Sequence, residues 1–203
     1  IDCKKRVKQV LDIAKKENMR KCCARWSTAK GMRGKELVNV KQVVEQGAVA
    51  TTNDGLPVAD INVMFEAAKE NRRYGIPICP HCEESRLRGR KEALVRRYHN
   101  SEARYIDRDI HVVKDTQCSF HFLHVTLAKS VAYIAQAKKE GLPVTAEASP
   151  HHFTLTCQDT KEIGSNAIVN PPLRTAKDVE AIREALRDGI IDVIATDHAP
   201  HAP

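Results

Sequence analysis

Short apolar runs alternate with longer segments of helical periodicity along this chain, and this alternation constrains the fold more than any other feature. Strands that alternate with helices in this way are typical of parallel βα units. We therefore predict an α/β fold in which a TIM-like (β/α) barrel is the leading architecture. The apolar runs predict strands at residues 21–26, 48–52, 76–80, 119–125, 143–149 and 191–196. The helical patterns fall at residues 4–17, 35–46, 61–73, 101–116, 127–139 and 176–187.

Three helix starts have a capping signal in the sequence. Asp60 and Thr126 each precede a helical pattern and are predicted N-caps. Thr175 with Asp178 three residues later has the spacing of a capping box. The Arg-rich stretch 83–100 has no clear period and is predicted to be a long surface loop.

Charge and composition exclude several classes of function. The 203 residues contain 33 Lys and Arg against 26 Asp and Glu, a net charge of +7, and only 4% are aromatic. The basic excess lies mainly in residues 1–46, where a nucleic-acid site is one interpretation and a solvated helix face the better one, because stacking side chains are scarce. No apolar run approaches the roughly 20 residues of a membrane span, and we expect neither a nucleic-acid nor a membrane partner.

The 7 cysteines are an odd number spread over the whole chain. They lack the density of a disulfide scaffold, and the opening residues lack the apolar segment of a signal peptide. Reduced thiols in a cytoplasmic protein are therefore the expectation.

Four candidate metal ligands lie at the C-terminal ends of four different predicted strands: Asp54, His81, His124 and Asp197. In a βα barrel the carboxyl ends of the strands converge on the face that carries the active site. Imidazole nitrogen and carboxylate oxygen suit zinc in a hydrolytic site. Each residue alone could instead be a cap or a turn residue, as Asp54 is before a glycine, so the pattern leaves both interpretations open.

A CxxC pair competes with the metal interpretation. Cys79 and Cys82 flank Pro80 and His81 directly after a predicted strand, as in thioredoxin-like redox sites. The acidic pair that follows at residues 83–84 would oppose thiolate formation, and this makes the redox interpretation the weaker one.

Six short motifs, in this order along the chain, resemble those of the dihydroorotases, a family of cyclic amidohydrolases. Asn53 stands where that family usually has a second aspartate. The motifs span most of the chain, and they are Asn53-Asp54-Gly55, Pro80-His81-Cys82-Glu83-Glu84, His124-Val125-Thr126, Val144-Thr145-Ala146-Glu147 through Pro150-His151-His152, Asn170-Pro171-Pro172-Leu173-Arg174 and Ala195-Thr196-Asp197-His198-Ala199-Pro200-His201.

The resemblance implies a zinc-dependent hydrolase that reversibly cyclises N-carbamoyl-L-aspartate to dihydroorotate in de novo pyrimidine biosynthesis. It implies two zinc ions, with Asp54 between them and with His81 and His124 on the second. Asp197 would ligate the first ion and act as the general acid/base. Asn170 and His201 would contact the substrate.

Other residues receive weaker roles from the resemblance. His151 and His152 match a histidine pair for which a supporting or packing role is expected. Arg174 would either anchor a loop near the substrate carboxylate or form a structural ion pair. We expect His121 to face the helix layer, because Phe122 is the strand neighbour that shares the face of His124.

The family's first barrel strand carries an HxH pair for the first zinc, and that pair does not occur in these residues. We therefore interpret residues 1–203 as one partial amidohydrolase barrel domain with about six of eight strands, and expect it to bind metal poorly and to be inactive alone. A related dihydropyrimidinase, hydantoinase or allantoinase is an alternative. So is a non-catalytic dihydroorotase-like partner of aspartate transcarbamoylase, and self-association is a further expectation.

Overall fold

The computed structural model describes residues 4–17, 23–83 and 101–199. The chain divides into two compact units, one formed by Ile1–His81 with Arg108–His121 and the other by Cys82–Asp107 with Phe122–Pro203. None of the described helices is long and apolar enough to cross a membrane.

The first unit holds the earlier βα repeats. Its elements are α1 (Lys4–Lys16), β1 (Arg25–Ser27), α2 (Val40–Glu45), β2 (Ala50–Thr52), α3 (Ile61–Arg73), β3 (Ile78–Cys79), α4 (Ser101–Thr116) and β4 (Phe120–Phe122). Helix α4 begins in the second unit and continues into the first. A 3-10 turn lies at Lys30–Met32. Trp26 and Val43 form a buried cluster with neighbouring alanines, and Leu11 of α1 packs against it.

The second unit continues the same alternation. Its elements are α5 (Ala128–Lys139), β5 (Val144–Ala148), α6 (Pro150–Thr154), α7 (Thr160–Ile163), a 3-10 turn at Gly164–Ala167, α8 (Ala176–Arg187) and β6 (Val193–Ile194). Helices α5 and α8 pack against each other, and each contributes a fully buried isoleucine, Ile134 and Ile182.

The six strands form one sheet in chain order, from β1 to β6. The pairs β1–β2, β2–β3, β3–β4 and β5–β6 are parallel. Ile78 lies opposite Thr51 on one side and Phe120 on the other, while Glu147 lies opposite Val193. All six predicted strands are thus present. Each strand is shorter than its apolar run, because buried residues beside a strand are also apolar although they do not pair in the sheet.

Two of the three predicted helix caps are confirmed. The Asp60 side chain accepts a hydrogen bond from the Asn62 N–H at the start of α3. Thr175 and Asp178 form the reciprocal capping box at the start of α8.

The predicted cap at Thr126 is wrong. Helix α5 begins after Leu127, which makes no side-chain capping bond. The Thr126 hydroxyl bonds to Glu102 instead, and the Ala128 N–H donates to the Asp178 carboxylate at 3.1 Å. The Asp178 side chain, 50 residues away in sequence, therefore accepts from the start of α5 in place of the local cap.

The second helix is shorter than the predicted 35–46. It starts at Val40 because the Asn39 side chain caps it by accepting from the Gln42 N–H. Leu37 is held in an antiparallel bridge to Ala29, so the preceding residues are extended. The short helices α6 and α7 have no counterpart among the helices predicted from the sequence. The predicted loop at 83–100 lies outside the described residues except for Glu83, which is buried.

Candidate metal centre

The first candidate ligand, Asp54, sits in the turn that follows β2. Its neighbour Asn53 is buried, and its side-chain oxygen accepts from the N–H groups of Thr28 and Ala29 at 3.1 and 3.2 Å. The Asn53 amide also donates to the Met32 carbonyl at 3.3 Å. An amide can both donate and accept, so the asparagine that departs from the family pattern ties the turn after β2 to the loop after β1.

His81 lies two residues beyond β3 and is buried. Its Nδ1 is 3.3 Å from the Asp54 Oδ1, whose side chain is 48% exposed. The carboxyl ends of two neighbouring parallel strands therefore bring an imidazole and a carboxylate together, as the sequence predicts.

His124 follows β4 and is buried, with a backbone φ of 33° that non-glycine residues rarely adopt. Its ligand atom and those of Asp54 and His81 all lie within 4.8 Å of one another. One carboxylate oxygen and two imidazole nitrogens are a donor set that suits zinc. These three predicted ligands thus form a group that could hold a metal ion.

Asp197, the fourth predicted ligand, is exposed and is not a member of that group. Its backbone φ is 49°. Its charge raises the pKa of His151, but burial of His151 has the larger effect and, with help from the nearby His124, leaves that pKa below its ordinary value. Asp197 therefore lies in the electrostatic neighbourhood of His151.

Of the two predicted substrate-binding residues, the structure describes one. Asn170 is exposed, and it precedes the buried Pro171. The Pro171 carbonyl is 2.8 Å from the Nε2 of His152. His201 lies outside the described residues.

His152 is a buried histidine. Burial lowers its pKa to about 3, against the opposing effect of the hydrogen bond to Pro171. A neutral imidazole that bonds to a carbonyl must donate from Nε2, which leaves Nδ1 unprotonated. That Nδ1 is buried and has no hydrogen-bond partner in the described part of the chain.

Arg174 forms the structural ion pair that was one of its two expected roles. Its Nη2 lies 3.6 Å from the Oε2 of Glu102, and both side chains are almost completely buried. Sequence reasoning missed Glu102, because one glutamate in the first turn of a helix resembles an ordinary capping or surface residue. No local signal distinguishes it.

The redox interpretation of the CxxC pair is not favoured by the structure. Cys79 and Cys82 are each only 3% exposed, whereas a thiol that exchanges disulfides must be accessible. None of the described cysteines is in a disulfide. In β4, Phe120 and Phe122 are buried and His121 is half-buried.

A sequence model of the amidohydrolase family matches residues 11–202. The chain belongs to the amidohydrolase family.

Curated amidohydrolases similar to this chain include two bacterial dihydroorotases. That of Elusimicrobium minutum (strain Pei191) is 42% identical in an alignment that covers 85% of this chain and 42% of the relative. That of Ruminiclostridium cellulolyticum is 37% identical in an alignment that covers 99% of this chain and 49% of the relative. The chain thus spans about half the length of the curated relatives it matches.

Solved amidohydrolase structures share the fold. A D-hydantoinase from Bacillus sp. AR9 has a TM-score of 0.74 at 20% identity, covering 96% of this chain and 48% of that one. A dihydropyrimidinase from Brevibacillus agri NCHU1002 has a TM-score of 0.71 at 22% identity, covering 80% and 40%. The predicted TIM-like (β/α) architecture, represented here by six strands, is confirmed.

Proposed function

We propose that this amidohydrolase is a dihydroorotase, which interconverts N-carbamoyl-L-aspartate and dihydroorotate. The observation that carries the proposal is the similarity to dihydroorotases at up to 42% identity over most of the chain. The group of Asp54, His81 and His124 supports it, because hydrolysis of a cyclic amide benefits from a metal site.

The proposed metal ligands are Asp54, His81 and His124, with Asp197 as a further ligand that the family pattern adds. A zinc ion bound there would polarise the ring amide carbonyl and lower the pKa of a water molecule towards neutrality. Zinc as the metal, and two ions per site, are parts of the proposal.

Asp197 is the proposed general acid/base. During ring opening a bond forms between the water oxygen and the ring carbonyl carbon, and the bond from that carbon to the ring nitrogen breaks. The Asp197 carboxylate accepts the proton of the attacking water and delivers it to the departing nitrogen. Asp197 is an exposed residue that follows β6.

Asn170 and His201 are the proposed substrate-binding residues. Dihydroorotate carries a carboxylate, which His201 would pair with, and Asn170 would hydrogen-bond to the ring. Asn170 is exposed and is followed directly by Pro171, whose carbonyl bonds to His152.

Substrate preference tests the proposal against the hydantoinase and dihydropyrimidinase alternatives. We would measure kcat/KM for dihydroorotate, hydantoin and dihydrouracil with the protein as encoded by its gene. A site built to bind the carboxylate should favour dihydroorotate by about 100-fold or more. Faster opening of hydantoin or dihydrouracil would favour a sibling activity. Binding of zinc without turnover of any of the three would favour a non-catalytic role.

An Asp197→Asn variant tests the general acid/base. Its kcat for dihydroorotate should fall by roughly 10²- to 10⁴-fold. Asp192→Asn is the matched control, because Asp192 lies at the other end of β6 and pairs with Lys138 at 2.7 Å. Equal kcat values for the two variants would remove Asp197 from the mechanism.

We also propose that the protein acts in the cytoplasm and that it associates with itself or with aspartate transcarbamoylase. The absence of disulfides among the described cysteines agrees with a reducing compartment. Co-purification with aspartate transcarbamoylase from cells, together with the mass of the purified protein in solution, tests the association.

A further inference from the structure

The carboxylate of Glu102 is buried in the first turn of α4 and is saturated with donors from one short segment. Its Oε1 accepts from the N–H groups of Thr126 and Leu127 at 3.0 and 3.1 Å. Its Oε2 accepts from the Thr126 hydroxyl. Glu102 thus binds the segment that leads from β4 into α5, where helix-start N–H groups would otherwise be unpaired.

Arg174 extends this contact to a second segment. Its Nε donates to the Thr126 Oγ1 at 2.9 Å, and its Nη2 lies 3.6 Å from the Glu102 Oε2. Because a hydroxyl has one hydrogen, Thr126 accepts from Arg174 and donates to Glu102, so its orientation is fixed. All three side chains are at most 5% exposed, and breaking a charged network at such depth is costly.

A second link joins the same two segments. The Asp178 Oδ2 accepts from the Thr175 hydroxyl at 2.6 Å, and its Oδ1 accepts from the Ala128 N–H at 3.1 Å. Residues 126–128 and 174–178 are therefore tied at two points.

Each of these segments continues into a residue of the proposed active site. His124 lies two residues before Thr126, at a φ of 33° that persists only where the surrounding structure holds it. Asn170 lies four residues before Arg174, and between them the Pro171 carbonyl bonds to His152. The network therefore connects the histidine of the candidate metal group with the proposed substrate-binding asparagine.

We infer that Glu102, Thr126 and Arg174 are positioning residues, whose buried network holds His124 and Asn170 in one fixed arrangement. The role towards Asn170 rests on the proposed function, whereas the role towards His124 requires only that the site binds metal. Substitution of a residue that orients a metal ligand without binding the metal itself typically lowers metal affinity by 10- to 100-fold. Small displacements of a substrate-binding group reduce turnover to a similar extent.

The sharpest test removes one hydroxyl. Thr126→Val keeps the side-chain shape but leaves Glu102 and Arg174 without their shared partner, while Thr126→Ser restores the hydroxyl. Arg174→Met removes the guanidinium. Zn²⁺ alone is titrated into each variant of the protein as encoded by its gene, and kcat and KM for dihydroorotate are measured separately.

Lys138→Met is the matched control. It breaks the ion pair with Asp192, whose two charged atoms are 2.7 Å apart. This ion pair belongs to the same unit, but Asp192 lies just before β6 whereas Asp197 lies after it. We expect this control to lower the melting temperature while zinc affinity and kcat stay at the wild-type values.

For Thr126→Val we expect zinc affinity to fall by about 10- to 100-fold, with recovery in Thr126→Ser. For Arg174→Met we expect the same fall together with a raised KM. Should both variants melt earlier yet bind zinc and turn over substrate as the wild type does, the network is a structural brace and the inference is overturned. Should Arg174→Met fail to fold, the comparison of valine with serine at position 126 decides.

The zinc titration separates this inference from the proposed function. A wild-type protein that binds zinc without opening dihydroorotate contradicts the proposed function. The loss of zinc affinity in Thr126→Val, but not in Thr126→Ser, would then still support positioning of His124. Equal zinc affinity in the wild type and Thr126→Val would overturn it.

Discussion

At the scale of single residues, Asp109 has an unusual environment for an acidic side chain. It is fully buried within α4, and its Oδ1 accepts from the Arg108 Nε at 2.8 Å. Its Oδ2 has no hydrogen-bond partner in the part of the chain that the structure describes. Burial raises the pKa of Asp109 from 3.8 to about 6, and Arg108 only partly opposes this effect.

This raised pKa predicts a specific pH dependence of stability. The folded protein keeps the Asp109 proton up to a pH of about 6, whereas the unfolded chain releases it near 3.8. The free energy of unfolding should therefore decrease as the pH rises between these values, by on the order of 3 kcal/mol in total. In Asp109→Asn this decrease should be absent, and the variant should be at least as stable as the wild type at neutral pH.

Urea unfolding of the wild type and the variant between pH 4 and about pH 7 measures the effect. Asp115→Asn, an exposed position on the same helix, is the control and should follow the wild-type curve. Parallel curves for wild type and Asp109→Asn would contradict the prediction, because they would show that folding does not raise the pKa of Asp109.

Members of the candidate metal group could be predicted from the sequence where their position relative to a strand determines their location. Asp54, His81 and His124 each lie at the C-terminal end of a predicted strand, and they meet because those strands are parallel neighbours. Glu102 could not be predicted, because its partners Thr126 and Arg174 lie 24 and 72 residues away in sequence and only the packed fold brings them together.

At the scale of elements, the helix starts show how far local rules extend. The capping box of α8 is local, and the sequence predicts it correctly. Asp178 of that box also receives the Ala128 N–H from the start of α5, 50 residues earlier. Thr126, the local candidate for that cap, is instead engaged by Glu102, so a tertiary contact overrides the capping signal.

The double contact predicts that Asp178 matters more than an ordinary cap. Asp178→Ala should cost about 2–3 kcal/mol of unfolding free energy, because two helices lose an acceptor and the half-buried Ala128 N–H loses its partner. Asp60→Ala, which removes a cap from α3 alone, should cost about 1 kcal/mol. Denaturant titration of both variants compares them. If they are destabilised equally, the bond from Ala128 contributes nothing.

At the scale of the whole molecule, the order of strands follows from the alternation of apolar runs and helices. Parallel strands need crossover helices, so a chain with this alternation has few topologies available. The sheet order from β1 to β6 confirms that prediction. The short helices α6 and α7 were not predicted, because segments of five and four residues have too little periodicity to be read.

Dependence of activity on the metal tests the central claim most directly. Ring opening of dihydroorotate would be measured with the protein as encoded by its gene, after metal removal by a chelator and again after addition of zinc. We predict loss of activity on chelation and recovery with zinc in the wild type, with no recovery in His81→Asn, which lacks the buried imidazole beside Asp54. Full activity after chelation, or equal recovery in His81→Asn, would contradict the account.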